Sequence, residues 1–431
     1  MLNKPYREIK RCRVCHSDKL TPFWTMGECC IVEFPLIGSE RTKPLSPLTL
    51  VVCENCWLVQ LQHTTDPKYL YSEFFYRSGT NEMMRAELRD IAHAAVMEAA
   101  TSKGDYVLDI GCNDGTLLES YPAFVEHKVG MDPAKNLFDS RKPWSKDWTF
   151  ECDFFNAEKA LKSSKGYQYK VITAIAMFYD LDDPAAFCRD ISTVLHEDGV
   201  FIVQMNYLGT MLEAHGVDNV CHEHLTYFSL TSLFPVLDSI GLEIYKVEVN
   251  ATNGGSLRVF VCHAGHRTID RGVRDLLMKE SDDRLLSFKP YGIFNERVQA
   301  ITKKLDIWLN EIATHENAVY AYGASTRGTT LMQLLHNADL ISGVAERDPN
   351  KFGHYMIGTE TPIYPEAEVR EIADYLLVLP WHFLPAIQKR EHEWLLKGGK
   401  FIVPFPQPKI ISLTQQASGV MELIDASGVF V

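Results

Sequence analysis

Residues 107–115, Val107-Leu108-Asp109-Ile110-Gly111-Cys112-Asn113-Asp114-Gly115, constrain the fold more than any other stretch. An apolar run ends in glycines and opens into a helical pattern. That is a strand, a tight turn and a helix, and the glycines let the backbone come close to a ligand. Asp132 follows at the end of the next apolar run, Val129-Gly130-Met131. An acid there suits both hydroxyls of a ribose. Asp153, beside Phe154 and Phe155, ends the run after that. A carboxylate among aromatics suits the amino group and face of an adenine. Candidate nucleoside-binding residues are therefore Asp109, Gly111, Asn113, Asp114, Gly115, Asp132, Asp153 and Phe154. Asn113 stands where G-x-G-x-x-G needs its second glycine, which argues against a nicotinamide dinucleotide site.

The same alternation organises the rest of the chain. Met84, Leu88, Ile91 and Ala95 fall on one face of a helix. Short apolar runs at 107–110, 129–131, 171–174 and 200–203 alternate with helical patterns, as in a parallel sheet with crossovers. Residues 297–314 read as another helix. A second alternation follows at 318–322, 340–344, 375–379 and 401–403. The expected organisation is a small cysteine-rich domain over 1–70, a doubly wound α/β domain over 71–262, a helical connector over 263–316 and a second Rossmann-like unit over 317–431.

Two C-x2-C knuckles, Cys12/Cys15 and Cys53/Cys56, make a closed four-cysteine zinc site the expectation. A closed site leaves no open coordination position, so its role is structural. The 37 residues between the knuckles must fold as an insert. Cys29 and Cys30 read as core thiols. The chain has 43 Lys+Arg against 56 Asp+Glu, a net charge of −13, and no basic stripe, so neither nucleic acid nor an anionic membrane is an expected partner. Lys4, Arg7, Glu8, Lys10 and Arg11 break up the opening stretch, and no apolar run approaches a membrane span. A cytoplasmic, reducing setting is expected, and three domains with their own cores are consistent with a monomer.

Residues 220–228, Val-Cys-His-Glu-His-Leu-Thr-Tyr-Phe, concentrate titratable groups among apolar ones. A desolvated His beside a Glu suits a general base near neutral pH. The spacing is not the H-E-x-x-H of a zinc protease, and the bland alternative is a pair of surface or core histidines.

Taken in order, the four-cysteine module, LDIGCNDGT, MFYDLDDP (177–184), CHEHLTYFSL (221–230), NGGSLRVFV (253–261) and YGASTRG (322–328) resemble the sugar C-methyltransferases of branched deoxysugar biosynthesis. The resemblance covers nearly the whole chain. It implies an α/β protein with a small zinc-binding N-terminal domain, a central class I S-adenosylmethionine (SAM) methyltransferase domain and a C-terminal Rossmann-like domain. The cofactors it implies are SAM and a structural Zn2+. The implied reaction is methylation at C-3 of a nucleotide-linked 4-keto-6-deoxyhexose through an enolate or enediolate. The family's base matches His224, with Glu223 as its neighbour. A family tyrosine that lines the site is best matched by Tyr76. Cys221 stands where some members carry Tyr, and 177–180 lack a His that some members have. Tyr179, Asp180 and His222 are the candidates to take over those roles. Backbone amides of 323–328 with Arg327 and Lys351 are expected at a diphosphate, unless this unit only packs and shapes the sugar site. Asn253 and Ser256 are expected to touch the sugar or to make a turn. The competing readings are O- or N-methylation of another small metabolite, and a zinc-ribbon scaffold on a degenerate methyltransferase fold.

Overall fold

The computed structural model describes residues 4–39, 44–70, 77–139, 148–415, 421–425 and 427. Its architecture is three β-sheet units joined by helices.

The N-terminal unit is built on the hairpin Leu20–Cys30 with Leu45–Cys53. This hairpin is the insert that the long gap between cysteine knuckles demands. Val59–Leu61 adds to it, and Thr226–Tyr227, far along the chain, completes a four-stranded sheet. Thr226 pairs with Gln60 and Tyr227 with Val59. The stretch holding Glu223 and His224 is thereby hooked onto the cysteine-rich domain.

The central sheet has seven strands, in the order Leu242–Asn250, Ser256–His263, Leu195–Asn206, Tyr169–Ile175, Tyr106–Ile110, His127–Met131 and Trp148–Glu151. The apolar runs read from sequence sit inside four of these strands. Short parallel strands covered on both faces must be apolar throughout, which is why they show as runs rather than alternations. All neighbours are parallel except Ser256–His263, which lies antiparallel to both strands beside it. Chain order reverses between Tyr106–Ile110 and Tyr169–Ile175. Ligands of doubly wound sheets bind outside the carboxyl ends of strands at such a point. Helix Glu82–Ala99 covers one face with Met84, Leu88, Ile91 and Ala95 buried. Asn81 caps its first turn by accepting from the Met83 amide at 3.0 Å.

The C-terminal sheet has eight strands, of which Thr361–Pro365, Ile341–Glu346, Val319–Tyr322, Tyr375–Val378 and Lys400–Val403 run parallel. Its order reverses at Val319–Tyr322, again followed by a glycine loop. Helix Lys289–Thr314 bridges the units. Its Phe294, Trp308 and Leu309 share one apolar core with Leu50, Val59 and Leu61 of the N-terminal sheet and Ala321 and Leu377 of the C-terminal one. Among the described residues no helix is long and apolar enough to cross a membrane.

Candidate active site and zinc centre

Both reversal points open into one cavity of about 910 Å3. The central sheet contributes Asp109, Gly111, Cys112 and Asn113 after one strand, Ile175, Ala176 and Tyr179 after the next, and Asn206 at the end of a third. The C-terminal unit contributes Gly323 to Arg327, Asp348 and Lys351. Glu223 and His224 lie between them.

The glycine loop is shaped as its sequence requires. Gly111, Asn113 and Gly115 have φ of 69°, 51° and 80°. A Cβ on Gly111 would come within 2.9 Å of Met177 Cγ. Asp109 is buried and accepts from Thr173 Oγ1 at 2.7 Å. The Asp132 carboxylate accepts from the amides of Asn113 and Ala134, each at 2.9 Å, and so holds the loop. Asp114 accepts from the Gly79 amide at 2.8 Å and from Thr116 Oγ1 at 2.7 Å, tying the loop to the segment before the long helix.

His224 is oriented by the backbone. Its Nδ1 donates to the Asn219 carbonyl at 2.8 Å, so the neutral ring keeps its lone pair on Nε2. Burial, with a smaller contribution from Arg327, pushes His224 down to about 4. It is neutral at physiological pH. Burial pushes the Glu223 carboxyl up to about 7. Tyr179 packs edge-on against His224 with ring centroids 4.3 Å apart. Asp180 is raised well above the carboxylate range by burial and by the nearby charge of Glu223. Its Oδ1 is buried without a partner.

Other sequence expectations land elsewhere. The Cys221–His224 turn, closed by His224 N donating to Cys221 O at 3.1 Å, sends His222 away from the cavity. His222 Nε2 donates to Ser46 O at 2.9 Å inside the N-terminal unit, and burial holds the ring down at about 4. His222 is therefore not part of the cavity wall. Ser256 is buried outside it and donates to Thr252 O at 2.9 Å, which makes it a turn residue. Asp153 and Phe154 are exposed beyond the cavity wall, with Asp153 paired to Lys159. Tyr76 lies outside the described residues. Asn253 does line the cavity, in a left-handed conformation. Arg327 lines it too, but its guanidinium is engaged by Asp218 and by Asn253 O. Lys351 donates to Ala324 O at 2.7 Å and sits 4.7 Å over the Phe34 ring. Asp218, Asn219, Asn206 and Trp381 carried no sequence signal, because only tertiary contact gives them a role.

The four cysteines converge as their spacing requires. Cys12 Sγ is 3.6 Å from Cys56 Sγ, and Cys15 Sγ is 3.5 Å from Cys53 Sγ. All four sulfurs lie within 4.8 Å of one another. A tetrahedron of Zn–S bonds of about 2.3 Å has edges near 3.8 Å, so the set fits zinc. Hydrogen bonds from Cys53 and Cys56 draw the Cys12 thiol far below its ordinary value, and the Gln60 amide donates to the same sulfur at 3.2 Å. Cys29 and Cys30 are buried and stand apart from this set.

Three family models match successive stretches of the chain. A zinc binding domain model matches residues 12–71, a methyltransferase domain model 81–247 and a C-methyltransferase C-terminal domain model 251–406. C-methyltransferase NovU of Streptomyces niveus is 29% identical over 417 residues, which cover 94% of this chain and 98% of that protein. The chain is a SAM-dependent methyltransferase. Its three matched modules stand in series, as a zinc-binding domain, a catalytic domain and a C-methyltransferase C-terminal domain. A ubiquinone biosynthesis O-methyltransferase of Aeromonas salmonicida (strain A449) is 28% identical over 151 residues, covering 32% of this chain and 63% of that protein. The plantazolicin methyltransferase BpumL, solved with a pentazolic desmethylPZN analog and SAH, aligns with 42% of this chain and 86% of its own at 15% identity and a TM-score of 0.35. The cradle formed by Gly111, Asn113 and the buried Asp109, with Asp132 bracing the loop through the Asn113 amide, fits the methyl donor: it has positive-φ backbone and a carboxylate where a ligand approaches.

Proposed function

We propose that the protein methylates carbon C-3 of a nucleotide-linked 4-keto-6-deoxyhexose. The observation that carries the reading is His224. Its Nδ1–H is committed to a carbonyl, and the ring lies in a cavity that the methyl-donor loop and the C-terminal glycine loop share.

SAM, when bound, would supply an electrophilic methyl group, its methyl–sulfur bond breaking so that the electron pair stays on sulfur and the neutral thioether leaves. The residues do the rest. A ketone at C-4 acidifies the C-3 proton. His224 Nε2 removes it, and the pair of electrons left on C-3 forms the new carbon–carbon bond. Glu223 shares the proton load, because a carboxyl near 7 changes charge in the working range. Tyr179 packs edge-on against the imidazole and lines the cavity beside it, and in this reading its hydroxyl serves the developing oxyanion. The start of helix Thr326–Leu334 faces the cavity and takes the diphosphate in this reading, with Lys351 beside it, while the amides of Gly323, Ala324 and Gly328 are bonded to Ala345 O, Glu346 and Ser325 Oγ. In this reading Asn253 faces the sugar, and the four-cysteine zinc centre is structural. The extent of the NovU similarity favours carbon over oxygen methylation, since the O-methyltransferase matches cover about a third of the chain.

The test is one incubation of purified protein with SAM and a panel of dTDP-, GDP- and CDP-4-keto-6-deoxyhexoses, read by mass spectrometry, with a parallel run in D2O. Gain of one methyl on one sugar nucleotide, with deuterium at the carbon alpha to the ketone, is expected. Binding of SAM with neither methyl nor deuterium on any sugar would refute it.

A further inference from the structure

Three consecutive residues join the base to the C-terminal domain. Asp218 is fully buried, and its Oδ2 accepts from Arg327 Nε at 2.9 Å, Arg327 Nη2 at 2.7 Å and Trp381 Nε1 at 3.1 Å. Arg327 Nη1 donates to Asn253 O at 2.7 Å. Thr330 Oγ1 donates to Val220 O at 3.0 Å. Arg327, Thr330 and Trp381 belong to the C-terminal unit. Between Asp218 and Val220 stands Asn219. Its carbonyl accepts from His224 Nδ1 at 2.8 Å and from Tyr227 Oη at 3.4 Å, and its side chain accepts from Asn206 Nδ2 at 2.7 Å. The carbonyl that sets the imidazole's tautomer therefore hangs between two residues clamped by another domain.

We propose that Asp218 and Arg327 are positioning residues: their pair fixes the Asn219 carbonyl, and through it the orientation and tautomer of His224, so that the base is in place only with the C-terminal domain docked. A buried ion pair adds little net stability over apolar residues of the same volume. Here it supplies direction instead. Three of Arg327's five N–H groups are directed at protein acceptors on two elements, Asp218 and Asn253, and these set the side chain's orientation. The inference rests on the reading of His224 as the base.

The experiment compares full-length, zinc-loaded wild type with Asp218→Asn, Arg327→Lys and Thr330→Val. Three quantities are read: methyl transfer, C-3 deuterium wash-in, and the 15N signals of the His224 ring without substrate, the last assigned by difference from His224→Gln. Asp218→Asn is expected to lower kcat and wash-in together by about 100-fold, the order that misplacing a catalytic group by an ångström costs. KM is expected to stay within about threefold, since a positioning residue acts on the transition state rather than on uniform binding. Its His224 ring should lose the single Nδ1–H tautomer. Arg327→Lys keeps a charged donor but loses the two-pronged contact with Asp218 and should cost about tenfold, less than Asp218→Asn, and Thr330→Val should cost a few-fold. Wild-type wash-in and an unchanged ring spectrum in folded Asp218→Asn would overturn the proposal. So would a rise in KM alone, which would make the pair a substrate ligand. If Asp218→Asn does not fold, wild-type rates and ring spectra in both other variants overturn it. The ring spectrum needs no sugar, so a failure of the substrate reading and a failure of this one are told apart.

Discussion

Replacing Arg258 with Met should loosen the wall of the cavity without touching it. Arg258 is buried in the antiparallel strand Ser256–His263, and its guanidinium reaches three other elements. Nε donates to Gln204 Oε1 at 2.7 Å, Nη2 to Glu87 at 2.9 Å, and Nη1 to Asp90 at 2.8 Å and Glu248 at 3.1 Å. Asp90 and Glu248 are 66% and 38% exposed as side chains, so their bonds to Arg258 are screened and count for little. Glu87 is only 18% exposed and also accepts from Gln204 and Asn250. Arg258→Met strands that carboxylate. Losing one partner of a buried pair costs about 3–5 kcal/mol, and Glu87's partial exposure puts this case near the lower end, about 3 kcal/mol. At roughly 2 °C per kcal/mol for a chain this large, Tm should fall by about 6 °C. Glu87 lies on the helix whose Met84 and Leu88 line the cavity, so KM for the sugar should rise more than kcat falls. Adding Glu87→Gln to Arg258→Met removes the stranded charge and should restore part of the Tm. Thermal unfolding by circular dichroism reads all three. A Tm within about 2 °C of wild type for Arg258→Met, a shift worth no more than about 1 kcal/mol, would refute the reasoning.

Four further outcomes are expected. His224→Ala should lose about 10^2–10^4 in turnover with SAM affinity by calorimetry unchanged, the range for removing a general base; wild-type turnover would remove His224 from the mechanism. Cys12→Ser, or chelation, should release one zinc per chain by elemental analysis and cost soluble protein, and full activity without zinc would refute a structural site. Glu223 carries a raised carboxyl, so turnover should climb as pH rises through about 7, and the same ionisation should lower stability over the window from its ordinary 4.5 up to about 7; Glu223→Gln should flatten both profiles. Gly111→Ala forces a Cβ against Met177 at positive φ and should weaken SAM binding at least about tenfold, the effect of roughly 1–2 kcal/mol of misplaced backbone.

Much of the fold was legible because its signals are local. Apolar runs and glycine turns act within a few residues, so sequence spacing shows them. The four-cysteine set was legible across 37 residues only because C-x2-C has one common use in a reducing setting. His222 shows the limit. The sequence offers it as a stand-in for a missing family residue, yet a single turn gives the His224 ring to the cavity and buries the His222 ring against Ser46. Arg327 shows another. A cation after a glycine loop reads as an anion ligand, and nothing in the sequence reveals a buried acid 109 residues earlier that engages it. Asp153 and Phe154 were placed by analogy with the strand ends before them, and the chain turns outward there.

The segment from Val217 to Tyr227 gives the three units a reason to share one chain. It lies in the central domain by sequence and in none of the domains by its contacts alone. Asp218 and Val220 are held by the C-terminal unit, Asn219 by Asn206 at the end of a central strand, His222 by Ser46, and Thr226 and Tyr227 by pairing with Val59–Leu61. Gln60, opposite Thr226, donates to Cys12 of the zinc set and accepts from Arg13, so even the metal centre is two contacts from the segment. A short irregular stretch cannot by itself fix the half-buried Glu223 and His224, because loops sit at the low-stability end of a fold. Supports on three sides remove that freedom. The consequence is that the isolated central domain should keep its sheet and its methyl-donor loop and still lack a defined base, which is a reason for zinc domain, catalytic domain and C-terminal domain to be inseparable in function.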